Sequence, residues 1–299
     1  MDRTAFGLPL EHRAISANGI ELHTVLAGPA DGAPVLLLHG FPEFWYGWRH
    51  QIDPLADAGL RVIVPDLRGY NLSSRPRGAE QYAIEVLERD LLALMDALEL
   101  DQAGVVGHDW GGLLTWWLAM HHPERLRRAV ILNAPHPEVF QSTVRGNPLQ
   151  LFRSGYLLFF QMPLLPEALL AAGNFFWLEQ ALVRTSRPGT FSPAELEHYR
   201  EAWAQPGALG AMLDWYRGLP RSRPSPQTSA ITVPMLLIWG ERDVALSLSM
   251  AEPSIARCAH GQLRRLPQAG HWVQHEEHAE VNRLLIEHLA EEQPSSLAL

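Results

Sequence analysis

Continuous apolar runs recur along the chain, with helical patterns between them. Residues 33–38, 61–66, 128–132 and 235–240 each read as a strand without polar alternation, which suits a parallel sheet covered on both faces. Val105-Val106 is a shorter run of the same kind, and 262–266 is a weaker one. Nearer the start, two alternating stretches around 14–16 and 20–25 meet at Asn18-Gly19, a strong hairpin signal. Between these strands the period changes. Ile84, Leu87, Leu91, Leu94 and Leu98 recur at helical spacing, which predicts an amphipathic helix over 82–98. Helices are also expected over 48–58, 112–121 and 276–289, the last with Val281, Leu284, Leu285 and Leu289 on one face. Strands alternating with helices in this way predict an α/β fold with a mostly parallel, eight-stranded sheet flanked by helices.

The pattern breaks after Asn133. From Ala134 to about Ser229 there is no β-type run, only Leu-rich and aromatic helical stretches interrupted by Pro, and then a Pro/Ser-rich segment over 220–234. The β pattern resumes at Met235. The block therefore reads as a helical lid inserted after the sixth strand. The expected organisation is a core in two parts, 1–133 and 230–299, with the lid at 134–229. The last nine residues read as a frayed tail.

Composition narrows the function classes. The chain has 299 residues, 47% hydrophobic and 19% charged, with a net charge of -9, so no basic face for nucleic acid is expected. All 24 basic residues are Arg, which excludes Schiff-base chemistry on a lysine. The single Cys258 permits no internal disulfide and suits a reducing compartment, the cytoplasm. No signal-peptide pattern opens the chain, and no apolar run is long enough to span a membrane. Two histidine pairs, His121-His122 and His275 with His278, lack the spacing of a zinc site and read as solvated helix ends; neither a metal nor a cofactor is expected.

The most informative stretch is Gly107-His108-Asp109-Trp110-Gly111-Gly112, which follows a short apolar strand and opens a helix. This is the pattern of a nucleophile elbow, in which a sharp turn pushes its apex residue above the sheet. The bland alternative is a glycine-rich turn with an Asp helix cap. Here the apex is Asp109 instead of the usual Ser. A Ser attacking a saturated carbon leaves an ether, whereas a carboxylate leaves an ester that water can hydrolyse. An Asp elbow therefore points to displacement at an sp3 carbon, such as that of an epoxide or alkyl halide.

In elbow folds the chain order is nucleophile, then acid, then His. Asp243 follows the strand at 235–240, with Glu241 as a nearby rival. His271 lies in a small-residue loop after the last strand. In this reading His271 takes a proton from water and Asp243 holds its tautomer. His39-Gly40-Phe41-Pro42 also follows a strand. The backbone N–H groups of Phe41 and Trp110 form the expected oxyanion hole, with His39 structural.

These landmarks, together with Asp66-Leu67-Arg68-Gly69-Tyr70 and Gly270-His271-Trp272, resemble the α/β-hydrolase fold and, within it, the epoxide hydrolases. The resemblance spans nearly the whole chain. It implies that two lid tyrosines hydrogen-bond the epoxide oxygen. Tyr156, in Tyr156-Leu157-Leu158-Phe159-Phe160-Gln161, matches one motif, and Tyr216, in Trp215-Tyr216-Arg217, matches the other. Tyr46 and Tyr199 read as packing residues. Some vertebrate members carry an extra amino-terminal phosphatase-like domain; nothing here matches it, and no phosphatase activity is expected.

The resemblance thus implies a cofactor-free enzyme acting on a small apolar epoxide, as a monomer or homodimer without a membrane or nucleic-acid partner. A haloalkane dehalogenase shares the Asp elbow and the following Trp, here Trp110, but has no use for two phenols. A non-catalytic binding protein with this fold would be marked by a missing triad member, and none is missing.

Overall fold

The computed structural model describes residues 6–222 and 230–290. The expected tail at 291–299 and the expected lid boundary at 229 lie outside the described residues, as do residues 223–229 of the Pro/Ser-rich segment. Eight strands among the described residues form one sheet: β1 (Glu11–Ala17), β2 (Ile20–Ala27), β3 (Ala33–Leu38), β4 (Leu60–Pro65), β5 (Ala103–His108), β6 (Leu126–Leu132), β7 (Met235–Gly240) and β8 (Gly261–Leu266). Their spatial order is β1-β2-β4-β3-β5-β6-β7-β8. β1 and β2 form the antiparallel hairpin, turning at Asn18 and Gly19 with φ of 48° and 75°, the positive values a two-residue hairpin turn demands. β2 is antiparallel to β4, and every later neighbour is parallel.

The central strands are the continuous apolar runs, and β5 and β7 are buried along their whole length. β8 is an edge strand and reads accordingly: Arg264 and Arg265 face water, which guards the edge against pairing with another chain.

α1 (Arg49–Asp57) is the first crossover helix, entered through a 3-10 turn at Trp45–Trp48. α2 (Ile84–Ala97) follows a 3-10 turn at Ala79–Tyr82, so the expected single helix over 82–98 is shorter than its pattern. α3 (Trp110–His121) begins two residues earlier than expected, because the chain turns within Asp109 alone. It is apolar around nearly its whole circumference, as a helix enclosed by the core must be. Its Trp116 is fully buried and spends its one polar atom on the Ala134 carbonyl at 3.0 Å.

Between β6 and β7 lie α4 (Pro137–Gly146), α5 (Pro148–Arg153), α6 (Tyr156–Phe159), α7 (Leu165–Thr185), α8 (Pro193–Trp203) and α9 (Ala208–Gly218). α7 is interrupted at Ala172–Phe175, where the backbone leaves helical geometry. α8 starts with a capping box between Ser192 and Glu195, with Pro193 in the first turn. These helices are tied to the loops that leave the carboxyl ends of β3 and β4. Trp203 Nε1 donates to the Pro42 carbonyl (2.6 Å) and Trp215 Nε1 to the Arg68 carbonyl (2.9 Å). Arg49 Nε bridges to Glu195 at 2.6 Å. The helical layer is thereby held over the edge of the sheet where open α/β folds place their sites.

α10 (Ala251–Ile255) packs near β7 and β8. The closing helix expected over 276–289 is α12 (His278–Ala290), preceded by the one-turn α11 (Val273–Glu276). Glu276 turns its carboxylate back to accept the Gly270 N–H at 2.7 Å, which anchors the loop just before His271.

The elbow between β5 and α3 is set by how closely α3 approaches β3. A Cβ on Gly111 would lie 2.0 Å from the Leu38 carbonyl oxygen and 2.8 Å from that of His39. Backbone cannot yield as a side-chain tip can. Gly111→Ala is expected to destabilise the fold by about 1–3 kcal/mol, the usual range for overpacking. The check is urea unfolding, in which the midpoint should fall at unchanged slope. A parental midpoint would show that α3 can retreat without penalty.

Candidate active site

Asp109 is the apex of the turn, at φ 51° and ψ -115°, a conformation that costs a non-glycine residue of order 1–3 kcal/mol. The strain persists because the surroundings over-determine it. Gly40 leaves room for it: a Cβ there would come within 2.4 Å of the Asp109 Cβ. The carboxylate is oriented on one side by the Phe41 N–H, which donates to Oδ1 at 3.0 Å. Its other oxygen, Oδ2, lies 3.8 Å from His271 Nε2. The Trp110 N–H, expected as the second donor, makes no hydrogen bond to the carboxylate among the described residues; it is the first amide of α3 and so lacks a partner within the helix.

His271 sits in the loop after β8 and Asp243 in the loop after β7. The structure brings them together: His271 Nδ1 is 2.8 Å from Asp243 Oδ2. Asp243 is buried and fully partnered. Its Oδ1 accepts from the N–H groups of Ala245 and Leu246, both at 2.8 Å, and its Oδ2 accepts from Asn133 Nδ2 at 2.7 Å. Burial alone would raise its pKa; His271 and these donors outweigh that and hold the carboxyl below its usual value. Glu241, the rival acid, instead pairs with Arg265 on the edge strand at 2.8 Å. Burial would likewise lower the His271 pKa, but the Asp243 carboxylate, then Asp109 and Glu43, reverse the balance and push it up to about 9.

Tyr156 begins α6 and Tyr216 lies on α9. Their rings meet edge to face, with centroids 5.9 Å apart. The Tyr216 ring is 5.0 Å from that of Trp110 and 5.3 Å from that of Phe41, so it stands directly against the elbow and the loop that flank Asp109. Tyr216 is buried, and Tyr156, 40% exposed, occupies the outer side of the pair. Desolvation first, and the Asp109 carboxylate after it, raise both hydroxyls; Tyr156 also acts on Tyr216, and Asp243 on Tyr156. Both phenols therefore keep their protons at neutral pH and can donate them.

Several polar residues behind this site escaped the sequence reading. Asn133 directly follows β6 at φ 43° and holds both Asp243 and the Gly240 N–H, the latter at 2.8 Å. A polar residue closing an apolar strand was the available signal. Glu43 is buried and accepts from Tyr199 Oη (2.7 Å) and Gln274 Nε2 (2.9 Å), with His275 Nε2 at 2.7 Å. His275 thus corrects the expectation of a solvated helix end: it is buried, while its partner in that pair, His278, is exposed. Burial, with Arg49 adding to it, lowers the His275 pKa to about 4 despite Glu43. Burial would raise the Glu43 carboxyl, yet His275 and His108 hold it well below the usual range. His108 Nε2 reaches the His271 carbonyl at 2.9 Å, so the network underlies the triad loop. Tyr199 is not only packing, since its hydroxyl serves Glu43. His39, expected to be structural, is buried, and its Nε2 accepts the Leu67 N–H at 3.0 Å.

The arrangement supplies a carboxylate with one oxygen free, an imidazole beside it, an N–H behind it and two phenols opposite. Such a set can open a strained ring by displacement and hydrolyse the resulting ester. Among the described residues no cluster of three or more His, Cys, Asp or Glu could hold a metal ion. Nor is any described helix long and apolar enough to cross a membrane.

A family model described as alpha/beta hydrolase fold matches residues 33–278. The chain is 44% identical to the AB hydrolase superfamily protein YfhM of Bacillus subtilis over 92% of its own length and 96% of that protein's. It is 36% identical to epoxide hydrolase 4 of Mus musculus, covering 93% of this chain and 79% of that one. Among solved structures, the epoxide hydrolase of Bacillus megaterium in complex with an inhibitor superposes with a TM-score of 0.86 at 30% identity, over 93% of this chain and all of that one.

The elevated His271 pKa has a signed consequence for stability. The folded value near 9 exceeds the ordinary 6.5, so the folded state holds a proton that the unfolded state gives up between those limits. This contribution is full below pH 6.5 and is lost as pH rises through 9. The stability difference between the parent and His271→Gln should shrink by about 3 kcal/mol across that window. Imidazole NMR should place the titration near 9, and Asp243→Asn should lower it. A parental midpoint near 6.5 would contradict the assigned role of the two carboxylates.

Proposed function

The chain belongs to the alpha/beta hydrolase fold family and, within it, to the epoxide hydrolases, and on that premise we propose how its own residues turn an apolar epoxide and water into a vicinal diol. The observation that carries the reading is the placement of Asp109, with Oδ1 on the Phe41 N–H and Oδ2 unbound on the His271 side.

Oδ2 attacks a ring carbon of the epoxide while Tyr156 and Tyr216 hold the ring oxygen. The C–O bond breaks, and the departing alkoxide takes a proton from one phenol, which regains one from solvent. The product of this step is an ester whose carbonyl oxygen is Oδ1, already facing the Phe41 N–H. Ester formation also removes the negative charge beside His271. One of the contributions that raises its pKa disappears, so the imidazole loses its proton more readily when a base is needed. Neutral His271, held by Asp243, then takes a proton from water, and the hydroxide adds to the ester carbonyl. The oxyanion on Oδ1 is stabilised by the Phe41 N–H, with the Trp110 N–H as the second donor once the oxygen moves in the tetrahedral state. Collapse expels the diol oxygen, which takes the proton from His271, and the carboxylic acid left on Asp109 gives its proton to the now neutral His271, which regenerates the carboxylate.

The carboxylates, imidazole, phenols and amides, with water and solvent protons, account for every step, so the reaction calls for no cofactor or metal. Each chain carries the complete set, so a monomer suffices and a homodimer adds nothing to the chemistry. The helical insertion after β6 acts as a lid that brings the two phenols over the nucleophile. The aromatic wall of Phe41, Trp110, Phe160 and the two tyrosines suits an apolar, aryl-bearing epoxide. The single Cys258 suits the cytoplasm.

His271→Gln removes only the second half-reaction. Mixed with styrene oxide, this variant should accumulate an Asp109 ester visible by intact mass, with steady-state turnover reduced by about 10²–10⁴-fold. Tyr156→Phe and Tyr216→Phe should instead slow ester formation, each by about 10²-fold or more. A His271→Gln variant that turns over normally, or that never accumulates the ester while consuming epoxide, would refute the division of labour.

A further inference from the structure

Each tyrosine motif ends in a polar residue for which the chemistry above has no use: Gln161 in Tyr156–Gln161, and Arg217 directly after Tyr216. The structure sets each of them against the backbone of the other motif. Gln161 Nε2 donates to the carbonyl of Tyr216 itself at 2.8 Å. Arg217 Nε donates to the Phe160 carbonyl at 2.9 Å, and its Nη2 to the Met162 carbonyl at 2.7 Å. The third arm of the guanidinium, Nη1, pairs with Glu167 (2.7 Å) at the start of α7 and with Asp214 (3.2 Å) on α9. The two segments are thus cross-tied in both directions, within one residue of Tyr216 and four to six residues of Tyr156.

The tie is needed because the Tyr156 segment has little order of its own. α6 is a single turn with no side-chain cap at its start, far shorter than a helix that holds by itself, and Tyr156 is partly exposed. What locates it is its contact with neighbours. The Phe160 ring lies 5.5 Å from that of Tyr156 and 4.9 Å from that of Tyr216, and the Phe160 carbonyl is the one Arg217 holds. The carbonyls at the end of α6 carry the negative end of the helix, so a cation there is favoured. A planar guanidinium can reach two carbonyls and two carboxylates at once, which an ammonium cannot.

We infer that Gln161 and Arg217 are positioning residues that splice the two lid segments into one two-phenol unit and so set where both hydroxyls stand over the epoxide oxygen. This rests on the proposed role of Tyr156 and Tyr216. It assigns no contact between Gln161 or Arg217 and substrate. Because Asp243 and His271 are held by the sheet loops, the splice acts on ester formation and leaves ester hydrolysis alone.

The test separates the two half-reactions. Single-turnover rates of ester formation and ester decay are measured with styrene oxide for the parent, Gln161→Leu, Arg217→Met and Arg217→Lys. Gln161→Leu and Arg217→Met should each slow ester formation by about 10- to 100-fold, the scale set by a misplacement near 1 Å, with decay within about twofold of the parent. Arg217→Lys should recover only a small part. In a Tyr156→Phe/Tyr216→Phe background, Arg217→Met should cost less than about twofold further, because the groups it positions are gone. Gln161→Leu breaks only the Gln161 ties and guards against a variant that fails to fold. Equal loss in both half-reactions, or the same loss in the double-Phe background, would overturn the inference. A double-Phe variant that forms the ester as fast as the parent would instead sink the tyrosine reading, and this one with it.

Discussion

The contact between the start of α3 and the end of β3 constrains everything downstream. Gly111 lies so near the Leu38 and His39 carbonyls that no side chain fits there, and Gly40 gives the same clearance to Asp109. The chain must therefore reverse within one residue, and Asp109 takes a strained backbone conformation as a result. That strain is what lifts the carboxylate clear of the sheet and sets Oδ1 on the Phe41 N–H. Neither the triad nor the phenols would have a common target without it.

Around this fixed point the groups are held with unequal firmness. Asp243 and His271 hang from consecutive parallel strands, and Asn133, directly after the strand between β5 and β7, locks Asp243 from below. Glu43, His108 and His275 form a second buried layer reaching the His271 backbone. The phenols are on the helical layer, attached to the core through Trp203, Trp215 and the Arg49–Glu195 pair.

Much of this was legible in the sequence, for identifiable reasons. Buried parallel strands leave continuous apolar runs, so the sheet was readable, and the hairpin announced itself at Asn18-Gly19. The elbow was legible because close approach demands glycine, and the pairing of Asp243 with His271 because chain order in an elbow fold is restricted. What stayed hidden depends on three-dimensional partners. His275 looked like a solvated residue because its partner Glu43 is over two hundred residues away. Asn133 carried no motif, and its role depends on a strand that the chain reaches only after the whole helical insertion. Glu276 turns back to Gly270, a tie that helical periodicity cannot reveal. Gln161 and Arg217 were visible as motif ends, but only the fold shows that each holds the other's backbone.

The central claim is that the Asp109 carboxylate, not water, opens the ring. It is tested most directly by one turnover of styrene oxide with excess enzyme in ¹⁸O-water, followed by mass analysis of the diol and of the peptide containing Asp109. The account predicts heavy oxygen in Asp109 and none in the diol, because water attacks the ester carbonyl carbon. Heavy oxygen in the diol with none in Asp109 would mean direct attack by water and would contradict it.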